Sequence, residues 1–262
     1  MSDSPTTMSA EDVPAEVRGA DPPEPSDKGP IEEFHPRNEE RDLHDGDADA
    51  PGDREVPGED EVPRAEPKVL RTLQISGDST STVFDYRGFT QPNGGRITLR
   101  DCVHHIPVIS QQAGRGDLDA LRRVLVAQGL MVQFGTDGEG NVAVYTPANR
   151  LCFQARGGNS ITCGIEHMHF AVGDAWTKKQ FRAAAWIVQF LEREHGIPMR
   201  AAKVEAAGSG RVTISQTGHT THEEISRKAG FNDRSDPGKG FDREQVFAAA
   251  KFFKQHGHFV GA

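Results

Sequence analysis

The chain has 262 residues and a formal charge of −9, with 3 cysteines that lack CxxC spacing. This excludes a disulfide-stapled framework and points to reduced thiols at Cys102, Cys152 and Cys163, in or near a core. Residues 1–70 hold 21 Asp and Glu against 7 Lys and Arg, so residues 71–262 carry +5; that favours an anionic partner but is too sparse for a nucleic-acid face.

The acidic stretch also holds 11 of the 16 prolines. Ordering a residue costs about 1–2 kcal/mol, and this composition has too little apolar surface to offset it. Residues 1–68 are therefore expected to form a disordered spacer. The start, MSDSPTTMSAEDVP, has neither a basic n-region nor an apolar h-region, and nowhere do about 18 apolar residues run together. The expectation is synthesis as a soluble cytoplasmic protein, without membrane insertion.

Residues 69–262 alternate short strand-like runs with helices, which predicts an α/β domain with a central mixed β-sheet flanked by helices. Residues 70–96 add one or two strands. RITLRDCVHHIPV alternates like a strand, and DLDALRRVLVAQG places Leu118, Leu121, Val124 and Leu125 at helical spacing before Gly129. LMVQFGTDGEGNVAVYTPANRLCFQA reads as two or three strands turning at DGEGN, and ITCGIEHMHFAV as another. The longest helix is predicted from Thr177 to about His195. Thr177 and Gln180 form a capping box, Phe181, Ala184, Val188 and Leu191 share a face, and Gly196 with Pro198 ends it. A last helix spans Asp242 to Gly257.

Four polar clusters have the residue types of a metal-assisted hydrolase: His104-His105, Glu166, His219, and Asp236-Pro237-Gly238. A catalytic zinc takes three N, S or O ligands and leaves a fourth position for water. Two histidines and an aspartate meet that need. His222 offers an alternative partner to His219 at i, i+3 if that segment is helical. His167 and His169 alternate on one strand, facing opposite to Glu166, and are assigned to packing or wall contact. Trp176, Phe181, Trp186 and Phe190 are read as core aromatics, and His195, His256 and His258 as helix-end cations.

Taken in order, these clusters resemble the zinc N-acetylmuramoyl-L-alanine amidases, the type-2 family that includes phage endolysins, muropeptide-recycling amidases and peptidoglycan recognition proteins. CVHHI is similar to the family's V-H-[HN] element, and Asn159-Ser-Ile-Thr-Cys-Gly-Ile-Glu166 to its N-x-x-S-[IL]-G-I-E, with Thr162 and Cys163 as departures. Gly218-His219 and Arg234-Ser-Asp236-Pro-Gly-Lys-Gly-Phe-Asp242 match its G-H turn and its [KR]-x-D-P-G element before a helix. Three further departures are the HIPVIS continuation after the first histidine, the 17-residue spacing from His219 to Asp236, and Val132 where many members carry a tyrosine. The residues THEEISRKAGFND are read as a loop or short helix between two ligands.

The resemblance implies Zn2+ held by His104, His219 and Asp236, with His105 the alternative to His104. It implies Glu166 as general base and Arg234 as an electrostatic stabiliser of the oxyanion in place of the family's lysine. The implied reaction is cleavage of the N-acetylmuramoyl-L-alanine amide bond by a phage lysin, acting as a monomer on peptidoglycan or muropeptides. Such a protein resides in the host cytoplasm before release, or on the virion. The alternatives are a cytosolic muropeptide-recycling amidase and a non-catalytic peptidoglycan-binding module.

Overall fold

A computed structural model of the chain describes residue 58 and residues 61–76, 79–107, 118–168, 176–238 and 240–256. The expected spacer lies almost wholly outside these residues. Contacts of the folded part begin upstream of residue 69: Val62 is buried, and the Ala65 amide donates to Asp119 at 3.2 Å.

The elements are β1 (Lys68–Ser76), β2 (Ser79–Asp85), β3 (Asp101–His105), α1 (Leu118–Ala127), β4 (Phe134–Thr136), β5 (Val142–Val144), β6 (Thr162–His167), α2 (Lys178–His195), β7 (Lys203–Gly208), β8 (Arg211–Gln216), β9 (Gly218–Thr221), α3 (His222–Ala229) and α4 (Arg243–His256). Seven strands form one mixed sheet in the order β1-β2-β5-β4-β6-β3-β9, and β7 with β8 makes a separate hairpin. This is the α/β architecture expected from the sequence.

Strands β4, β6, β3 and β9 run parallel, so their carboxyl ends lie along one edge. Every residue of β3 is buried, as a parallel strand covered on both faces must be. One face carries α2 and α4, which pack Ala184, Ile187, Val188, Leu191, Val246 and Phe247 over Cys102, Cys163 and Ile165. The opposite face carries α1 over Ala143 and Tyr145, and α3 with the hairpin over Val103. Val132, at the position of the family tyrosine, is fully buried in the α1 cluster.

Helix α2 follows the sequence closely. The Thr177 side chain accepts from the Gln180 amide, and Gly196 ends the helix at φ 69°. The Gln180 side chain turns instead to the Met168 carbonyl, at 3.1 Å. Ile187, Val188 and Leu191 are fully buried, each contributing about 1.5–3 kcal/mol. The β7–β8 hairpin was not anticipated; Val204, Val212 and Ile214 face inward beneath α3 across a turn with positive φ at Gly208, Ser209 and Gly210. It docks through Gly157 (φ 85°), where a Cβ would lie 2.3 Å from the Gly210 carbonyl. Among the described residues no helix is long and apolar enough to cross a membrane.

Candidate active site

Strand parity decides which side chains meet. In the β3–β6 pairing, His105 lies opposite Glu166 and His104 opposite Ile165. In the β3–β9 pairing, Cys102 lies opposite His219 and His104 opposite Thr221. Partnered residues share a face and neighbours alternate. His105 and Glu166 therefore project toward the α1 and α3 side, whereas His104 and His219 project beneath α2 and α4.

The structure does not bring His104, His219 and Asp236 together. Asp236 instead approaches His105, Nδ1 to Oδ2 at 3.6 Å, and His222, Nδ1 to Oδ1 at 3.2 Å. Matching the V-H-[HN] and G-H elements on their first histidine selects His104 and His219, which lie on the face away from Asp236. His105 lies one residue along from His104. His222 lies three residues past His219, beyond the point where the chain leaves β9 and enters α3. The two residues the sequence offered as alternatives are the ones that converge.

That turn is fixed locally. Thr221 caps α3 by accepting from the Glu224 amide at 3.2 Å, and the Glu224 carboxylate accepts from the Thr221 amide at 3.0 Å. This capping box makes His222 the first helical residue. Asp236 is pinned from both sides. The Ile106 amide donates to Oδ2 at 3.3 Å, and the Asp236 carbonyl accepts from the Glu223 amide at 3.0 Å. THEEISRKAGFND is thus the short helix and return loop that bring the aspartate back to the end of β3.

Burial would raise the Asp236 pKa, but the His105 and His222 imidazoles beside it hold it well below the usual carboxylate range. His105 is raised: burial opposes its charge, and Asp236 and Glu166 outweigh burial. His222 is lowered by burial and by His105. Glu166 is pushed up to about 7 by burial, with Asp236 adding to the rise and His105 and Arg234 opposing it. Arg234 stands exposed at the rim, close enough to act on both Glu166 and His222.

The donor atoms of His105, His222 and Asp236 all lie within 4.8 Å of one another. Two imidazole nitrogens and one carboxylate, with Glu166 beside them, are consistent with a zinc centre that keeps an open position. The buried Glu166 Oε2 has no hydrogen-bond partner among the described residues. Such an atom suits a group placed to receive a proton.

His104 and His219 belong to a second cluster. Thr136 Oγ1 meets His167 Nδ1 at 2.8 Å, His167 Nε2 meets His104 Nδ1 at 3.0 Å, and His104 Nε2 meets His219 Nδ1 at 3.3 Å. Phe241 and Phe247 pack on these rings. Burial pushes His104 far down and His219 to about 3, so the rings are neutral and each link pairs one N–H with one lone pair. Cys102 lies near enough to form a donor trio with His104 and His219, yet the hydrogen-bonded chain already occupies both His104 nitrogens and His219 Nδ1, leaving only the buried His219 Nε2 without a partner among the described residues. All three cysteines are free and buried, as expected; His169 and His258 lie outside the described residues.

The sequence profile described as N-acetylmuramoyl-L-alanine amidase matches residues 102–239, just over half of the chain and every residue of the site. No curated protein matches. Among solved structures, the Staphylococcus aureus hydrolase AmiA in complex with its ligand is 15% identical, with a TM-score of 0.45, over 75% of this chain and 97% of that one. The endolysin amidase LysCS from Clostridium intestinale is 16% identical (TM-score 0.41; 58% and 83% covered). Drosophila PGRP-LB is 14% identical (TM-score 0.42; 68% and 95% covered).

Proposed function

Since the chain belongs to the N-acetylmuramoyl-L-alanine amidase family, and so is a peptidoglycan amidase, we propose that its reaction is carried by His105, His222 and Asp236 as zinc ligands, with Glu166 as general base. The observation that supports this reading is the convergence of those three donor atoms within 4.8 Å, beside a buried carboxylate with a free oxygen. Zinc held there supplies Lewis acidity toward the scissile carbonyl and a lowered pKa for water.

The protein's own groups do the rest. Glu166, ionising near 7, takes the proton of the attacking water and returns it to the departing alanine nitrogen. Asp236, anionic at working pH, keeps His105 and His222 converging on one point. Arg234 supplies a fixed positive charge at the rim, where negative charge develops on the carbonyl oxygen. Because a guanidinium stays protonated, its role is electrostatic.

The finer reading is a lysin acting on intact wall, held in a host cytoplasm until release or carried on a virion. The +5 balance of residues 71–262 supports a polymeric anionic substrate over small muropeptides. Mass analysis of treated peptidoglycan tests the chemistry. New L-alanine amino termini are expected, and they should vanish with a chelator and in His105→Ala or His222→Ala; new reducing sugar ends or cross-bridge amines refute it. Faster turnover of soluble anhydro-muropeptides than of sacculi refutes the lysin reading and favours a recycling amidase.

A further inference from the structure

We propose that Gln154 is the positioning residue that sets the tautomer of His105, holding the proton on Nε2 so that the Nδ1 lone pair faces Asp236 and His222. The inference rests on His105 being a zinc ligand, as above, and its evidence is a hydrogen-bond relay that runs in one direction.

The relay starts at a group that can only accept. Thr162 Oγ1, fully buried, lies 2.9 Å from the Gly158 carbonyl and must donate its single proton there. With that proton committed, the hydroxyl can only accept from the amide 2.7 Å away, so that atom is Gln154 Nε2. The Gln154 oxygen is then the end that faces His105, and Oε1 lies 2.5 Å from His105 Nε2. An amide oxygen cannot donate, so His105 Nε2 carries a proton, and in the neutral imidazole Nδ1 is left with the lone pair. The reverse polarity would set the hydroxyl lone pairs against the Gly158 carbonyl at 2.9 Å with no proton between them.

The surroundings hold Gln154 in place. Asn159 Oδ1 accepts from the backbone amides of Gln154 at 2.9 Å and Ala155 at 2.7 Å. The Gln154 side chain crosses Gly164, where a Cβ would lie 2.7 Å from Oε1 and 3.0 Å from Cδ. Asn159, Thr162 and Gly164 of the Asn159–Glu166 motif therefore all act on Gln154, while Glu166 stands free for chemistry. A ligating imidazole whose other nitrogen is tied to an acceptor has its tautomer and ring plane fixed before metal arrives, and loss of such a partner typically lowers metal affinity about 10–100-fold.

The test uses the full chain. Long-range nitrogen–proton correlations at pH 8 in chelator-stripped protein, with the His105 signals identified by their loss in His105→Gln, report which nitrogen is protonated. Zinc affinity is measured in parallel by chelator competition. Wild type should show the Nε2–H form; Gln154→Leu should lose that preference and bind zinc about 10–100-fold more weakly. Gln154→Glu, which keeps an acceptor, should restore both. Gly164→Ala should displace Gln154 and behave like Gln154→Leu. A wild-type His105 protonated on Nδ1, or a Gln154→Leu protein with unchanged tautomer and affinity, overturns the proposal. Wild type with the Nε2–H form, lost in Gln154→Leu, but no affinity for zinc overturns the zinc-site reading and upholds the relay.

Discussion

Glu166→Gln should make the metal-free protein more stable, by a margin that grows as pH rises from 4.5 to 7. An unfolded glutamate ionises near 4.5, while burial carries Glu166 to about 7 in the folded chain. Between those values the unfolded chain releases a proton that the folded chain keeps, so stability falls as pH rises; the penalty is absent below 4.5 and complete above 7. At about 1.4 kcal/mol per tenfold change, the separation amounts to about 3 kcal/mol at pH 8 and under about 1 kcal/mol at pH 5. Glutamine keeps the volume and removes the charge, so it should recover most of that. The assay is urea unfolding of both proteins at pH 5 and pH 8 with a chelator present. A variant no more stable than wild type at pH 8, or equally stabilised at both values, refutes the claim that Glu166 is held ionised at a cost. The same variant should retain zinc and lose about 10²–10⁴-fold in peptidoglycan turnover.

Metal analysis of the wild-type chain should find one zinc per molecule, lost in His105→Ala and in Asp236→Ala. His104→Ala should lower stability by about 3 kcal/mol, because it leaves a core cavity and unpaired imidazole partners, yet its folded fraction should still bind one zinc; two zinc ions in wild type would show that the Cys102, His104 and His219 cluster also takes metal. Arg234→Ala should lower kcat with zinc content unchanged, and wild-type turnover would remove the guanidinium from the mechanism. Thr221→Ala breaks the capping box that seats His222 and should cost about 1 kcal/mol in urea unfolding, with weaker zinc binding; unchanged affinity would mean that α3 holds His222 without its cap.

Much of the fold was legible because its signals are local. The Thr177 cap, the 184–188–191 stripe and the Gly196 stop lie within one helix, and α2 follows them to the residue. The β7–β8 hairpin was missed because its inward residues, Val204, Val212 and Ile214, are separated by alanines and polar residues. Its turn is marked only by Gly208-Ser209-Gly210, a weak signal without the strands on either side. Gln154 left no trace in the sequence at all, since its importance depends on Gly164 and Thr162 of β6 being brought beneath the loop that carries it.

The site itself turned on a single step of parity. Glu166 and His105 are linked by the β3–β6 register, which no motif spacing reveals, and a shift of one residue along β3 exchanges the face that holds Glu166 and Asp236 for a sealed aromatic one. The two faces differ in what they offer a cation. His104 and His219 are neutral, their nitrogens largely committed to one another, and Phe241 and Phe247 pack on them. His105 and His222 share an anionic carboxylate at the open end of the parallel strands, where α/β sheets place their ligands. A divalent ion needs the carboxylate and the opening, and only one face has both. That is why the alternative histidines, and not the ones matched to the motif, are the pair on which the proposed function stands.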